Sequence, residues 1–353
     1  MDRTEADLAT VCRDVCGIQA QVMSAARMAL WARMHGLKQA DIKSALNESR
    51  TLVKTSCMRQ TLHLLPAADF SIYITALRRS RVEAVCRILS KFGVTTQEID
   101  RLNKAVMDAL SDGPLTRRIL MAQIKAQAGK NVLKWMDNVW SVFRLTLAEG
   151  WICYGPDKPT EVTFVRVDQW LPQQEPVTEE EAKHILLRRF LSAYGPATLQ
   201  DFSKWSGIPR KEATSVWKSL EDDLMEVSIG GKKASTLHAD YDQILHGEVD
   251  EPVLRLLPGF DPYLLAHADK NHLVNQAYYK RVYRNQGWIS PVILLNGRII
   301  GTWSSSRKGQ RVALTVELFE KAPRIIKSNI EDEAANLGDF LEVALQVKHT
   351  VSH

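Results

Sequence analysis

One order of elements recurs along the chain: helices followed by two short β-type runs that flank a turn. It is clearest in residues 178–238. There, "TEEEAKHILLRRFLSAYG" begins with the capping-box pair Thr178 and Glu181 and ends at Gly195. "PATLQDFSKWSG" and "IPRKEATSVWKSLE" follow as short helices, and "LMEVSIGGKKASTLH" supplies two β-type runs about Gly230-Gly231. Three helices and a two-stranded wing are the pattern of a winged helix-turn-helix.

The same order is present twice more in the first half of the chain. Apolar residues recur at helical spacing from Glu5 to Leu46, and "LVKTSCMRQTLHLLP" then alternates and ends at Pro66. The second round has helical "TTQEIDRLNKAVMDALSDG", "LTRRILMAQIKAQAG" and "VLKWMDNVWSVFRLTLAEG", followed by "WICYGPDKPTEVTFVRV" with a turn at Gly-Pro-Asp-Lys-Pro. We therefore predict three tandem winged-helix modules, over residues 1–92, 93–174 and 175–247.

Residues 248–353 have a different, β-rich texture. "PVLRLLPGFDPYLLAH", "WISPVILLNGRIIGTW" and "QRVALTVELFE" are apolar runs, and Asn296-Gly297 is a strong two-residue hairpin signal. We predict a small C-terminal β-barrel or sheet, closed by a helix over "NIEDEAANLGDFLEVAL". The predicted fold class is α+β.

Composition excludes several classes of protein. The five cysteines form an odd set without paired CxxC motifs, so neither a disulfide framework nor a zinc site is indicated. The chain has no P-loop, no GxGxxG followed by an acidic residue and no His/Cys cluster, and we predict no cofactor and no metal. No run approaches 18 apolar residues, and the first ten residues lack an apolar signal core. We expect a cytoplasmic, nucleoid-associated protein that does not bind a membrane.

Charge distribution favours a nucleic-acid partner. Winged helices most often bind duplex DNA, with one helix in the major groove and the wing on the backbone or minor groove. Between Arg50 and Lys91 there are eight cations against Asp69 and Glu83. The alternatives are a solvated charged face or a protein-binding winged helix. The predicted DNA-binding residues lie in this segment, on the third helix of the third module and at its wing: Arg78, Arg79, Arg81, Arg210, Lys211, Lys232 and Lys233.

Two glutamines stand out in "VCGIQAQVMSAARMALWARMHGL". Gly17 interrupts the first helix, so Gln19 and Gln21 are predicted to lie in an extended link and to project to the same side. A glutamine amide can orient water and stabilise developing charge, but it cannot take up a proton at neutral pH. Such a pair suits hydrolysis of the N-glycosidic bond of an N7- or N3-alkylated purine, whose base is already cationic. The alternative is a structural role, capping the next helix or binding backbone.

Five blocks of the sequence carry a resemblance to a known family. They are "GIQAQ…AARMALWAR", "MRQTLHLLP", "YGPATLQDFSKWSGI", "LLPGFDPYLLAHADK" and "VYRNQGWISPVILLNGRIIGTW", in order from about Val15 to Trp303. Together they resemble the AlkZ/YcaQ-like family of bacterial DNA glycosylases. The resemblance implies three tandem winged helices plus a C-terminal β-barrel, which together form a concave basic surface for duplex DNA. It also implies a monofunctional glycosylase that removes alkylated purines. Some members of the family unhook interstrand crosslinks or protect producers of DNA-alkylating antibiotics.

The family's catalytic motif is glutamine, an aliphatic residue, then glutamine or aspartate, and it falls here on Gln19, Ala20 and Gln21. Members with aspartate at the last position have a potential general base, whereas glutamine is limited to positioning water. We therefore expect activity only on bases that leave easily. The protein is expected to act as a monomer on DNA containing alkylated purines. The competing interpretation is a tandem winged-helix transcription regulator without catalysis.

Residues near this motif are candidates for contact with the lesion or DNA: His63, Arg59 and Thr61 in "MRQTLHLLP". A lone histidine on an apolar strand is equally well explained as a core residue. Asp261 in "GFDPYLL" is the carboxylate that competes with the glutamines for a catalytic role. A capping or turn role before Pro262 is the favoured alternative.

Overall fold

The computed structural model describes residues 3–125, 143–156, 158, 161–247, 252–308 and 311–351. The helices are α1 Leu8–Asp14, α2 Met23–Trp31, α3 Gln39–Asn47, α4 Phe70–Lys91, α5 Thr96–Ala109, α6 Arg117–Lys125, α7 Arg144–Glu149, α8 Val167–Trp170, α9 Glu179–Tyr194, α10 Leu199–Ser206, α11 Arg210–Lys218, α12 Tyr241–His246, α13 Pro262–Leu265, α14 Tyr279–Val282 and α15 Arg324–Leu341. The strands are β1 Ile18–Gln19, β2 Leu52–Ser56, β3 Leu62–Pro66, β4 Leu115–Thr116, β5 Ile152–Tyr154, β6 Thr163–Arg166, β7 Leu224–Ile229, β8 Lys232–Leu237, β9 Leu254–Leu257, β10 Val292–Leu295, β11 Arg298–Lys308, β12 Arg311–Leu318 and β13 Ala344–Val351.

The two β-type runs predicted for the first unit and the two for the second belong to one sheet. Its strand order is β1-β3-β2-β5-β6-β4. β2 and β3 pair antiparallel, β5 and β6 do the same, and the pair Lys54 and Tyr154 joins the two hairpins. The predicted units 1–92 and 93–174 therefore share a sheet, which local sequence patterns do not reveal.

The predicted elements of the third unit are confirmed. Helices α9, α10 and α11 precede an antiparallel hairpin of β7 and β8. Thr178 caps α9 by accepting a hydrogen bond from the Glu181 backbone N–H, and Thr198 and Asp201 form a capping box at α10. Since each signal is local to its helix, the sequence located these helices well.

The C-terminal unit is an open sheet. Its five strands have the order β13-β12-β11-β10-β9, and within the described ranges the edge strands β13 and β9 do not pair with each other. Of the predicted alternatives, barrel and sheet, the structure has the sheet. The helix predicted over residues 329–345 is corrected: α15 ends at Leu341 because Glu342 adopts a left-handed φ of 55°. β13 then pairs in parallel with β12, and the sequence analysis missed this strand.

Buried side chains form three clusters that cross the predicted boundaries. One joins α1 to α3 with the C-terminal sheet and α15, and another packs α4 against α9 and α10. The third lies between residues 85 and 164. Ile18 belongs to the first cluster and Cys16 to the second. The short strand β1, which carries Gln19, therefore lies between two cores and is fixed by both.

Two predicted elements fall largely or partly outside the described residues. Most of the helix predicted over 132–150 and part of the turn at 155–159 lie outside them. Among the residues that the structure describes, no helix combines the length and apolar character needed to cross a membrane. The five cysteines are free thiols, and all except Cys86 are buried.

Candidate active site and DNA-binding surface

Gln19 is nearly buried, with 8% of its surface exposed, and its side-chain oxygen faces the protein interior. Gln19 Oε1 accepts a 3.0 Å hydrogen bond from Arg59 Nη2, and Thr61 Oγ1 lies 3.5 Å from it. A guanidinium has only donors, so the atom opposite Arg59 must be the amide oxygen. The Nε2 group of Gln19 is therefore the part of the amide left for a substrate or a water.

Gln21 is exposed, and it leans over the same turn as Gln19. Its Oε1 accepts a 3.3 Å hydrogen bond from the Leu62 backbone N–H, and the Ala20 N–H donates to the Leu62 carbonyl over 2.6 Å. Both amides thus rest on the segment from Met58 to Leu62. This arrangement agrees with the predicted extended link, in which residues i and i+2 project to one side.

Three residues close to the two glutamines, Gly17, Arg59 and Gln60, have left-handed backbone conformations. Gly17 has a φ of 85°, which is unfavourable for any other residue, and a Cβ there would lie 2.6 Å from Leu65 Cδ2 and 3.3 Å from the Leu64 carbonyl oxygen. Arg59 and Gln60 also adopt left-handed φ values, 53° and 60°. Such conformations are unfavourable for residues other than glycine and persist where the surrounding structure enforces them.

Contacts with the third unit enforce the conformation of Arg59. Arg59 Nη1 donates to the Trp205 carbonyl at the end of α10. Gly207 has a φ of 83°, and a Cβ on it would lie 3.1 Å from the Arg59 backbone N. Burial lowers the pKa of Arg59. The roles of Trp205 and Gly207 cannot be read from the sequence, because Gly207 indicates only that α10 ends there and Arg59 lies 146 residues before Trp205.

His63 pairs with Gln19 across the β1–β3 ladder and is 2% exposed. Its Nδ1 is 3.0 Å from the Thr61 carbonyl oxygen. Burial lowers the pKa of His63 to about 3, with a further contribution from the Arg59 charge, so the ring is neutral at physiological pH. This position favours the core role of His63 over direct contact with a lesion. Arg59 and Thr61, the other two candidates, both contact the side-chain oxygen of Gln19.

Asp261 is engaged in structure. The side chain is fully buried, and its two oxygens accept hydrogen bonds of 2.7 and 2.8 Å from Arg33. It also caps α13 through a 3.0 Å bond from the Tyr263 N–H. The favoured capping role is confirmed, and an ion-paired carboxylate without solvent access is a poor general base.

Comparisons with known proteins identify the family to which this chain belongs. The family model described as DNA glycosylase AlkZ-like matches residues 12–340. The chain belongs to the AlkZ-like DNA glycosylase family. It is similar to a curated protein of Streptomyces sahachiroi named interstrand DNA cross-link repair glycosylase, with 29% identity over 95% of this chain and 91% of the relative. The solved structure of Streptomyces sahachiroi DNA glycosylase AlkZ superimposes with a TM-score of 0.85 at 27% identity, covering 99% of this chain and 95% of the other.

The predicted DNA-binding residues of this AlkZ-like protein differ in their availability. Arg210 and Lys211 are exposed at the start of α11 and form no ion pair within the part of the chain that is described. The others at the surface are paired with acids: Arg78 with Glu149 at 2.6 Å, Arg79 with Glu179 at 3.2 Å, Lys232 with Asp269 at 2.5 Å and Lys233 with Glu226 at 2.8 Å. Ion pairs between exposed side chains contribute little to stability, but Glu149, the partner of Arg78, is only 13% exposed.

Arg81 requires a correction. It was predicted to bind DNA, but its side chain is 5% exposed and covered by α7. Nη2 lies 3.3 Å from the Leu147 carbonyl oxygen, and Nε and Nη1 have no hydrogen-bond partner among the described residues. Burial lowers its pKa. The sequence shows the charge of Arg81, but not the helix that covers it.

No group of three or more histidine, cysteine or acidic side chains is assembled to hold a metal ion within the described ranges.

Proposed function

We propose that the protein is a monofunctional DNA glycosylase that hydrolyses the N-glycosidic bond of N7- and N3-alkylated purines, including bulky adducts and interstrand crosslinks. The observation that supports it is the placement of two amides, Gln19 and Gln21, on one turn of an AlkZ-like chain. The cross-link substrate is taken from the name of the Streptomyces sahachiroi relative.

The two amides have complementary hydrogen-bonding capacity. Gln19 Oε1 is held by Arg59, so Gln19 offers its Nε2 donors. Gln21 Oε1 accepts one bond from Leu62 and keeps a second lone pair. A water that accepts from Gln19 and donates to Gln21 retains one lone pair for attack on C1′ of the sugar. The pair thereby positions the nucleophile, which contributes through orientation and reduced entropy of activation.

The proposed hydrolysis of the N-glycosidic bond requires no general base. The water oxygen forms a bond to C1′, and the N-glycosidic bond breaks with its electron pair moving to the alkylated purine, which becomes neutral. The excess proton of the attacking water passes to solvent, since neither glutamine can hold it. Because neither glutamine can protonate a leaving base, we propose that only lesions with a cationic purine are released.

In this proposal the lesion is reached at the protein surface and does not enter a deep pocket. Many glycosylases rotate the damaged nucleotide out of the duplex, but a base tethered to the opposite strand cannot leave in this way. The exposed position of Gln21 is compatible with attack on a nucleotide that stays near the helix. In our proposal α11 and the wing of β7 and β8 bind the DNA, with Lys232 and Lys233 on phosphates at the minor groove.

The test is release of N7-methylguanine from alkylated duplex DNA in single turnover. Wild type is compared with Gln19→Ala and Gln21→Ala, and with Gln97→Ala, an exposed glutamine on α5, as the matched control. We expect a loss of roughly 100-fold or more in each site variant, with unchanged DNA affinity. Gln97→Ala should behave as wild type.

Two results would contradict the proposal. Site variants with wild-type rates would return both glutamines to a structural role. No release by wild type, from either N7-methylguanine or a crosslinked duplex, together with tight sequence-specific binding of undamaged DNA, would favour the transcription regulator.

A further inference from the structure

The last residue of α9, Tyr194, contacts the chain just ahead of the strand that carries Gln19. Its hydroxyl donates a 2.5 Å hydrogen bond to the Val15 carbonyl. Val15 caps the C-terminal end of α1, and β1 begins three residues later at Ile18. Burial raises the pKa of Tyr194 well above its ordinary value, so the hydroxyl keeps its proton and remains a donor. A side chain of the third unit thus binds one of the carbonyls that end α1.

The short segment between Val15 and Gln19 has an unfavourable backbone conformation. Cys16 and Gly17 adopt left-handed φ values of 52° and 85°. A left-handed conformation at a residue other than glycine persists only where its surroundings enforce it. The Tyr194 hydroxyl is one such restraint, and it comes from outside the segment. β1 is only two residues long, so few ladder hydrogen bonds resist a tilt of this strand.

Tyr194 also belongs to the aromatic cluster that anchors Arg59. The ring centroids of Tyr194 and Trp205 are 6.3 Å apart, and they lie 5.7 and 4.9 Å from that of Phe190. The Trp205 carbonyl accepts a hydrogen bond from Arg59, which in turn binds Gln19 Oε1. The third unit therefore restrains Gln19 in two ways, through the backbone that precedes it and through its side-chain amide.

We propose that Tyr194 is a positioning residue for the glycosidic hydrolysis, whose hydroxyl fixes the end of α1 and thereby the direction in which Gln19 presents Nε2 to the water. The inference rests on the proposed function and adds a residue to its machinery. Without the hydroxyl, the Val15 carbonyl loses a donor, and rotation of the peptide between Val15 and Cys16 can relieve the left-handed conformation of Cys16. Displacements of about 1 Å at reacting groups slow catalysis, so a small tilt of β1 is sufficient.

The first test removes the hydroxyl and keeps the ring, with Tyr194→Phe. Its matched control is Tyr263→Phe, because Tyr263 also donates from its hydroxyl to a backbone carbonyl, that of Gly297, over 3.1 Å in the C-terminal unit. We measure N7-methylguanine release in single turnover at saturating enzyme, the affinity for DNA and the free energy of unfolding. Tyr194→Phe should slow release roughly tenfold without changing DNA affinity. Tyr263→Phe should retain the wild-type rate.

The second test reads the position of Gln19 without turnover. The side-chain amide of Gln19 gives a signal in a nitrogen–proton correlation spectrum, which is assigned by its loss in Gln19→Ala. In the protein without DNA, Tyr194→Phe should shift this signal and Tyr263→Phe should leave it in place.

Each outcome decides the inference. A slower rate and a shifted Gln19 signal, both confined to Tyr194→Phe, support it. Equal slowing in the two variants would show a general effect of lost stability and would overturn it. A wild-type rate for Tyr194→Phe, with or without a shifted signal, would overturn it as well. If wild type itself releases no base, the proposed function fails, and the Gln19 signal still shows whether Tyr194 positions that amide, so the two failures are distinguishable.

Discussion

Arg59 Nη2 donates a 3.0 Å hydrogen bond to Gln19 Oε1, and through Nη1 the same guanidinium is bound to the Trp205 carbonyl at the end of α10. The side chain that orients the proposed water-binding amide is therefore anchored in the unit that carries the wing. A guanidinium with bonds on two nitrogens fixes direction better than an ammonium group can. The link makes the position of Gln19 depend on the docking of the third unit.

We predict that Arg59→Ala slows release of N7-methylguanine by roughly 10- to 100-fold, because the Gln19 amide loses a charge-assisted hydrogen bond. Arg59→Lys should recover only part of the rate. DNA affinity should change little, since the guanidinium is already bound to Gln19 and to the Trp205 carbonyl. Single-turnover rates at saturating enzyme, together with a binding isotherm, measure the two effects separately.

A double-mutant cycle checks whether Arg59 acts through Gln19. If it does, Arg59→Ala should add almost nothing in a Gln19→Ala background. Additive losses would show that Arg59 contributes independently, for example by contact with the lesion as the sequence analysis suggested.

Local signals in the sequence predicted part of the candidate site and part of the third unit. Gly17 and the spacing of Gln19 and Gln21 predicted an extended pair, and the caps at Thr178 and Glu181 placed a helix of the third unit. Long-range relations were not accessible. Nothing near Lys54 indicates its pairing with Tyr154, and that single register position joins two predicted units into one sheet.

The prediction for Arg81 on α4 was wrong for a related reason. Arg78 and Arg81 are three residues apart and lie on neighbouring faces of one helix, yet Arg78 is exposed and Arg81 is buried beneath α7. Counting charges does not reveal which face another helix covers. The C-terminal strand β13 was missed because parallel pairing with β12 across α15 leaves no turn signal between neighbouring strands.

The wing lysines yield a prediction about salt dependence. Lys232 and Lys233 at the start of β8 are 70% and 81% exposed and are paired only with exposed acids. If each exchanges its acid for a phosphate, Lys232→Ala/Lys233→Ala should weaken DNA binding and reduce the slope of log K against log salt by about 2. Binding isotherms at several salt concentrations measure this. Lys104→Ala, on the exposed face of α5, is the control. An unchanged slope would remove the wing from the DNA interface.

For Arg81, in contrast to the wing lysines, we predict no contribution to DNA binding. Its guanidinium is buried and only Nη2 has a partner among the described residues, so replacing it with an unbranched apolar side chain should cost no stability. We expect Arg81→Met to raise the free energy of unfolding by about 1 kcal/mol and to leave DNA affinity and its salt dependence unchanged. Chemical denaturation and a binding isotherm provide the measurements. Weaker DNA binding by a folded Arg81→Met variant would restore the original sequence-based interpretation.

His63 makes stability depend on pH in a defined direction. Burial lowers its pKa from 6.5 to about 3, so above pH 6.5 the ring is neutral in both the folded and the unfolded protein. Between these values only the unfolded chain takes up the proton. The free energy of unfolding should therefore fall with decreasing pH, by about 1.4 kcal/mol per pH unit from this residue well below pH 6.5.

Replacing His63 with asparagine removes the titration and retains a polar group near the Thr61 carbonyl. Denaturation of wild type and His63→Asn between pH 7 and pH 4.5 should give a shallower decline for the variant, although its stability at pH 7 is lower. Some slope persists, because burial also lowers the pKa of His272, to about 4, in both proteins. Parallel curves would show that His63 is protonated in the folded state or reaches solvent. The core role assigned to it from its 2% exposure would then be wrong.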